Sequence, residues 1–183
     1  MLNELINICE KNISISLYTN SNNLSSFIFG KVLCVNNNEI ALLMISPEGE
    51  YDGILVKNVS EIIYWEIDSQ YSNKMDSLYK QTSSLVSNFN FDRDKIKESV
   101  LLNAQTTKKI VSIELNYSGF DNVIGFVEKI YGNICQIKQV DYSGKDDGVA
   151  FVLMNNITQI SYDSKEEQMI LSKYKEQDKN KEE

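Results

Sequence analysis

The stretch GKVLCVNNNEIALLMI, residues 30–45, returns as GFVEKIYGNICQIKQV, residues 125–140. At this offset of 95 the match extends without a gap from residues 30–80 onto residues 125–175, with identities such as Gly49/Gly144, Asp52/Asp147, Gly53/Gly148, Asp68/Asp163 and Tyr79/Tyr174. Upstream, the second copy lacks three residues, after which Ser14, Ile15 and Leu17 match Ser112, Ile113 and Leu115. A fixed-period self-match of this length reads as two copies of one domain.

Each copy carries the same order of elements. Leu2, Leu5, Ile6 and Cys9 recur at helical spacing, and Ile96, Val100 and Leu101 form the matching stripe within residues 92–105. Alternation at Ile13, Ile15 and Leu17, and at Val111, Ile113 and Leu115, has the period of a strand. Further strands are expected at residues 27–35, 39–45, 54–56 and 61–67, and at 123–130, 134–140, 149–154 and 157–162, separated by Asn- and Gly-bearing turns. The pairs Asp52-Gly53 and Asp147-Gly148 read as turn residues rather than as cation ligands, because the further oxygen ligands of a calcium loop are absent.

Five short strands in about 55 residues cannot bury both faces of a flat sheet, so a bent sheet closing into a small barrel is expected. Gly30 and Gly125, in mid-strand, permit the bend. The fold class expected is mainly β with helices (α+β): two tandem five-stranded antiparallel barrels, each preceded by a short helix, plus a connecting and a C-terminal helix. The boundaries are 1–68 for copy one, 69–91 for the connection, 92–162 for copy two and 163–183 for the last helix and charged tail.

This arrangement resembles the Sm-like fold within the wider group of SH3-like barrels. Gly30-Lys31-Val32, the turn Asn36-Asn37-Asn38 and the apolar strand with Ile40 and Leu42 look like the first Sm motif. The second Sm motif has no match at Lys57-Asn58-Val59-Ser60 or at Asn155-Asn156. The resemblance implies RNA contact at the turns between strands two and three and between strands four and five. Those turns carry Asn36, Asn37, Asn38 and Asn58 in copy one and Tyr131, Asn133, Asn155 and Asn156 in copy two. The alternative is that Asn serves these turns by tolerating left-handed backbone.

Charge weighs against nucleic acid. The 183 residues hold 18 basic and 26 acidic side chains, net −8, with Arg93 as the one arginine; residues 1–91 alone have five Lys and ten acids, net −5. Such a surface repels a phosphate backbone. With no histidine, Ser-His and Cys-His nucleophile systems and imidazole metal sites are excluded, and no phosphate-binding loop or Cys pair at metal spacing occurs. A non-enzymatic chain without cofactor or metal is expected.

Cys9, Cys34 and Cys135 sit in apolar patterns and read as reduced core thiols. The opening MLNELINICEKN lacks the basic region of a signal peptide, and no apolar run approaches the roughly 18 residues of a membrane span, so the cytoplasm is the expected location. In the third strand, Ala41, Leu43 and Ile45 give copy one a second apolar face where copy two has Gln136, Lys138 and Val140. That face needs a cover, which could be the following helix, the other copy or another chain. Tyr71, Met75, Leu78, Thr82, Leu85 and Phe89 in that helix alternate by four and three, like a coiled-coil seam or a helix packed on its own sheet. The function expected is protein binding or regulatory adaptation through Ala41, Leu43 and Ile45, with another protein or a second copy (a homodimer) as partner and RNA binding as the alternative. The final residues 175–183 read as a solvated, frayed end.

Overall fold

A computed structural model describes residues 1–79 and 89–179. It is an α+β chain of two compact units, Met1–Ile96 and the residues from Lys97 onward. The first contains α1 (Leu2–Glu10), β1 (Ser14–Tyr18), β2 (Ile28–Val35), β3 (Glu39–Ile45), β4 (Tyr51–Asn58), β5 (Tyr64–Glu66) and α2 (Gln70–Tyr79). The second unit contains β6 (Ile110–Leu115), β7 (Val123–Tyr131), β8 (Ile134–Val140), β9 (Asp146–Leu153), β10 (Ile157–Tyr162) and α4 (Lys165–Lys179), preceded by α3 (Ile96–Thr107), which begins at the boundary.

Within unit one the strand order is β5-β1-β2-β3-β4, and within unit two β10-β6-β7-β8-β9, all antiparallel. The fifth strand of each unit therefore returns to lie beside the first. Among the described residues β4 and β5 share no ladder, nor do β9 and β10, so the sheet of each unit is open.

The duplication extends to the irregularities. In β2 the register slips between Val32 and Cys34, and in β7 between Val127 and Lys129, 95 residues later. A second slip sets Leu43 opposite Ile54 but Ile45 opposite Tyr51, and its twin sets Lys138 opposite Val149 but Val140 opposite Asp146. Asp52-Gly53 and Asp147-Gly148 occupy these bulges, with Gly53 at φ +89° and Gly148 at φ +86°. The expected turn role is thus corrected: the chain reverses at residues 46–50, where the Ser46 N–H donates to the Glu50 carbonyl, and the Asp-Gly pair bends the strand that follows. Bulges add twist and curvature, which short strands need in order to wrap a core.

Gly30 and Gly125 make the sharpest approach. A side chain at either would overlap a carbonyl oxygen of the neighbouring strand, Leu43 for Gly30 and Lys138 for Gly125.

The core of unit one lies between α1 and the sheet, where Leu5 and Ile8 meet Ile15, Leu17, Val32, Val35, Ile40 and Leu42. Ile96, Val100 and Leu101, the stripe expected of α3, are all buried. The opposite face of each sheet is covered by the helix that follows it, α2 against β1 and α4 against β6. Met75 and Tyr79 of α2 pack on Phe29, Leu43 and Ile45, and Ile170 of α4 packs on Ile110, Ile124 and Val140. The seam positions Tyr71 and Met75 therefore serve the chain's own sheet, while Thr82 and Leu85 lie outside the described residues. Both helices are entered through an aspartate in left-handed conformation, Asp68 (φ 55°) and Asp163 (φ 60°). Ser164 and Glu167 cap α4, the Ser164 N–H donating to Glu167 Oε2 at 2.7 Å. Lys175 to Lys179 belong to α4 rather than to a frayed end; residues 180–183 lie outside the described part.

A polar contact of unit one has no counterpart at the matched residues of unit two. Ser14 Oγ on β1 donates to the Asp76 carboxylate on α2 at 2.5 Å. The matched Ser112 Oγ is buried with no hydrogen-bond partner among the described residues, and the position matching Asp76 is Leu171, which packs into the apolar cluster under α4.

Two stability predictions follow from these contacts. Gly30→Ala or Gly125→Ala should cost about 3 kcal/mol in urea unfolding, since backbone must move, whereas Gly132→Ala, with open space around it and φ +57°, should cost about 1 kcal/mol from conformation alone. Ser14→Ala should cost about 1 kcal/mol by removing its hydrogen bond to the half-buried Asp76 carboxylate, while Ser112→Ala should be neutral or stabilising by up to about 1 kcal/mol.

Candidate functional site

The residues expected at a protein interface are already occupied. Ala41, Leu43 and Ile45 are buried, and Leu43 and Ile45 lie beneath α2 against Met75 and Tyr79. The surplus apolar face of the third strand is thus closed inside the unit and offers nothing to a partner.

The asparagine turns do converge. In unit one the Val59 N–H donates to the Asn38 carbonyl at 2.8 Å, and in unit two the Met154 N–H donates to the Asn133 carbonyl at 3.0 Å. Each contact joins the turn between strands two and three to the short 3-10 turn after strand four, residues Val59–Glu61 and Met154–Asn156. Two of the amides, those of Asn36 and Asn58, are spent on backbone. Asn36 Oδ1 accepts from the N–H groups of Asn38 and Glu39, and its Nδ2 donates to the Arg93 carbonyl at 2.8 Å. Asn58 caps the 3-10 turn in a reciprocal box with Glu61. Asn37, Asn155 and Asn156 sit in the same turns, and Tyr131 is exposed with the Lys129 ammonium 5.6 Å from its ring centre.

Nucleophile and metal chemistry find little support. Cys9, Cys34 and Cys135 are free thiols, and burial raises each above its ordinary pKa, Cys135 to about 11. Such thiols are poor nucleophiles. Among the described residues no three metal-ligating side chains come together. A cleft of about 210 Å³ between Gln105, Lys108, Phe126, Val127, Lys138 and Tyr174 falls below the roughly 300 Å³ of small-molecule sites. Its Lys138 is held by Asp146 at 2.8 Å and Tyr174 Oη at 2.7 Å.

Asp121 is a carboxyl of unit two with a raised pKa. Burial, then the charges of Glu167, Glu166 and Glu114, push it up to about 6. Its neighbours have structural duties: Glu167 caps α4, and Glu114 accepts the Gly119 N–H at 2.8 Å.

The surface that stands out is on β9. Val149, Phe151 and Leu153 are 49, 64 and 47% exposed, whereas Val152 between them is buried. By register they share a face with Lys138, Gln136 and Ile134 of β8, and the row beside Ile134 ends in exposed Tyr131. Helix α4 covers Val140 and, through Tyr174, Phe126 and Lys138, but stops short of β9. The matched residues of copy one, Ile54 and Val56, are 2 and 0% exposed. Both copies carry apolar residues here, so the signal was present in the sequence. What distinguishes them is tertiary cover. Among the described residues β9 has one strand neighbour, β8, leaving its outer backbone edge open.

Comparisons with protein-family models, with characterised proteins and with solved structures give no match to this chain.

The Asp121 carboxyl supplies a pH prediction. Its folded pKa near 6 exceeds the roughly 3.9 of an unfolded aspartate, so the folded state binds the extra proton and stability falls as pH rises from about 4 through about 6. Asp121→Asn should raise the melting temperature at pH 7 and lose that advantage at pH 4, as followed by thermal unfolding at both pH values.

Proposed function

We propose that the chain is a cytoplasmic, non-enzymatic protein-binding module made of two Sm-like or SH3-like barrel repeats, and that it docks through β9. The barrel reading is supported by the return of the fifth strand to the first, the mid-strand glycine and the paired bulges in each copy. Free thiols of raised pKa suit a reducing compartment. Among the described residues no helix is long and apolar enough to cross a membrane.

The observation that carries the docking role is the row Val149, Phe151 and Leu153 on a strand with an open edge. Exposed apolar side chains in a row are costly to keep in water, and an open edge offers unpaired N–H and C=O groups, which together favour strand addition by another polypeptide. RNA binding is the second reading, favoured by the convergence of the two turns beside Tyr131 and Lys129. The net charge of −8 and the commitment of Asn36 and Asn58 to backbone weigh against it.

A photo-crosslinking amino acid placed at position 151 tests the choice in the organism's own cells. Polypeptide adducts are expected at position 151 and not at a control position on α4 such as Met169; nucleic-acid adducts, or none, would count against protein docking. On immobilised single-stranded RNA at low salt the chain should pass unretained. Retention that fades with added salt would favour the second reading.

A further inference from the structure

We infer that the occupant of the β9 edge is a second copy of this chain, paired antiparallel β9 to β9 about a two-fold axis through Phe151. The inference rests on the docking role proposed above and names its partner.

The strand's own pattern carries the argument. A two-fold axis perpendicular to a continuous sheet sets residue i opposite residue 2c − i, where c is the residue on the axis, and keeps both on one face. With Phe151 on the axis, Phe151 meets its own copy and Val149 meets Leu153, so each exposed apolar side chain of the row gains an apolar neighbour. The same register carries Asp146 and Asp147 past the end of the partner strand, toward Asn156 and Asn155. Other registers serve worse. An axis through Ala150 sets Asp147 against Leu153, and one through Val152 sets Val149 against Asn155.

Like-charge repulsion also sets this partner above the exposed β5 edge of unit one in a second copy. Setting Phe151 antiparallel to Tyr64 brings Asp147 opposite Asp68, two like charges at directly paired positions. In the β9 pair no two acids are opposed, and Asp146 is already neutralised by Lys138.

The strand lacks the usual guards of an edge. From Val149 to Leu153 it has no Lys, no Pro and no inward charge, and its bulge at Asp147-Gly148 lies at one end, leaving five regular residues beyond it. The matched residues of copy one, Ile54 and Val56, are covered, so this position of the repeat is one that tolerates full burial.

The experiment uses the full chain. Analytical ultracentrifugation at tens of micromolar should find a dimer, and Phe151→Glu should give a folded monomer whose melting temperature, unlike that of the wild type, does not rise with protein concentration. Phe151→Cys under mild oxidation should form a disulfide-linked dimer by itself. Val149→Cys or Leu153→Cys alone should not, but the two together should, since directly opposed side chains lie within disulfide reach. A monomeric wild-type chain overturns the inference; if position 151 still crosslinks to a different polypeptide in cells, the docking role stands without it, and if it crosslinks to no polypeptide, both fall. A dimer that Phe151→Glu leaves intact, a series of higher oligomers built head to tail, or crosslinks that ignore the predicted pairs would also overturn it.

Discussion

Strand two of each unit passes so close to the carbonyl of strand three that a single methyl group cannot be admitted. At Gly30 the obstacle is the Leu43 oxygen and at Gly125 the Lys138 oxygen, the same atom of the repeat in both copies. This contact allows the sheet to bend sharply in its middle. Because it bends, the fifth strand can return to the first, and a nine-residue helix such as α1 suffices to fill the hollow with Leu5 and Ile8. The bulges that the two units share continue the curvature where glycine alone would leave the strands straight.

Bending solves one face and leaves the other. The helix that follows each sheet covers that second face, and its landing is also set by a glycine. The turn after strand three approaches Leu78 in unit one, and Lys173 and Tyr174 in unit two, at Gly49 and Gly144, where a Cβ would sit 2.6 Å from the helix. Where the helix lands decides what stays exposed. In unit two the cover ends at Lys138 and Tyr174, so β9 is left in water with Phe151 at its centre.

Much of the fold was legible because the repeat supplied two readings of every element. The helical stripe Ile96, Val100 and Leu101 and the strands at residues 39–45 and 134–140 need only local periodicity, and they lie where that periodicity puts them. Asp-Gly was harder, since a bulge and a turn ask the same positive φ of their glycine, and only the partner strand tells them apart. Ser14 and Ser16 alternate with Ile15 and Leu17 like a strand wet on one face, yet all four are buried because α2 approaches closely over the small serines. The candidate site was illegible for a related reason. Strand four carries the same apolar row in both copies, Ile54 and Val56 against Val149 and Phe151, and no local pattern says that one row is buried and the other left in water.

The serine pair has one more consequence. In unit one, Ser14 and Asp76 form a directional link between sheet and helix that is satisfied at one rotation and one height of α2. In unit two Leu171 stands where Asp76 would, and α4 is tied elsewhere, with the Lys138 ammonium donating to Tyr174 Oη at 2.7 Å. The two units therefore pin their covering helices to different strands, the first to strand one through Ser14 and the second to strand three through Lys138.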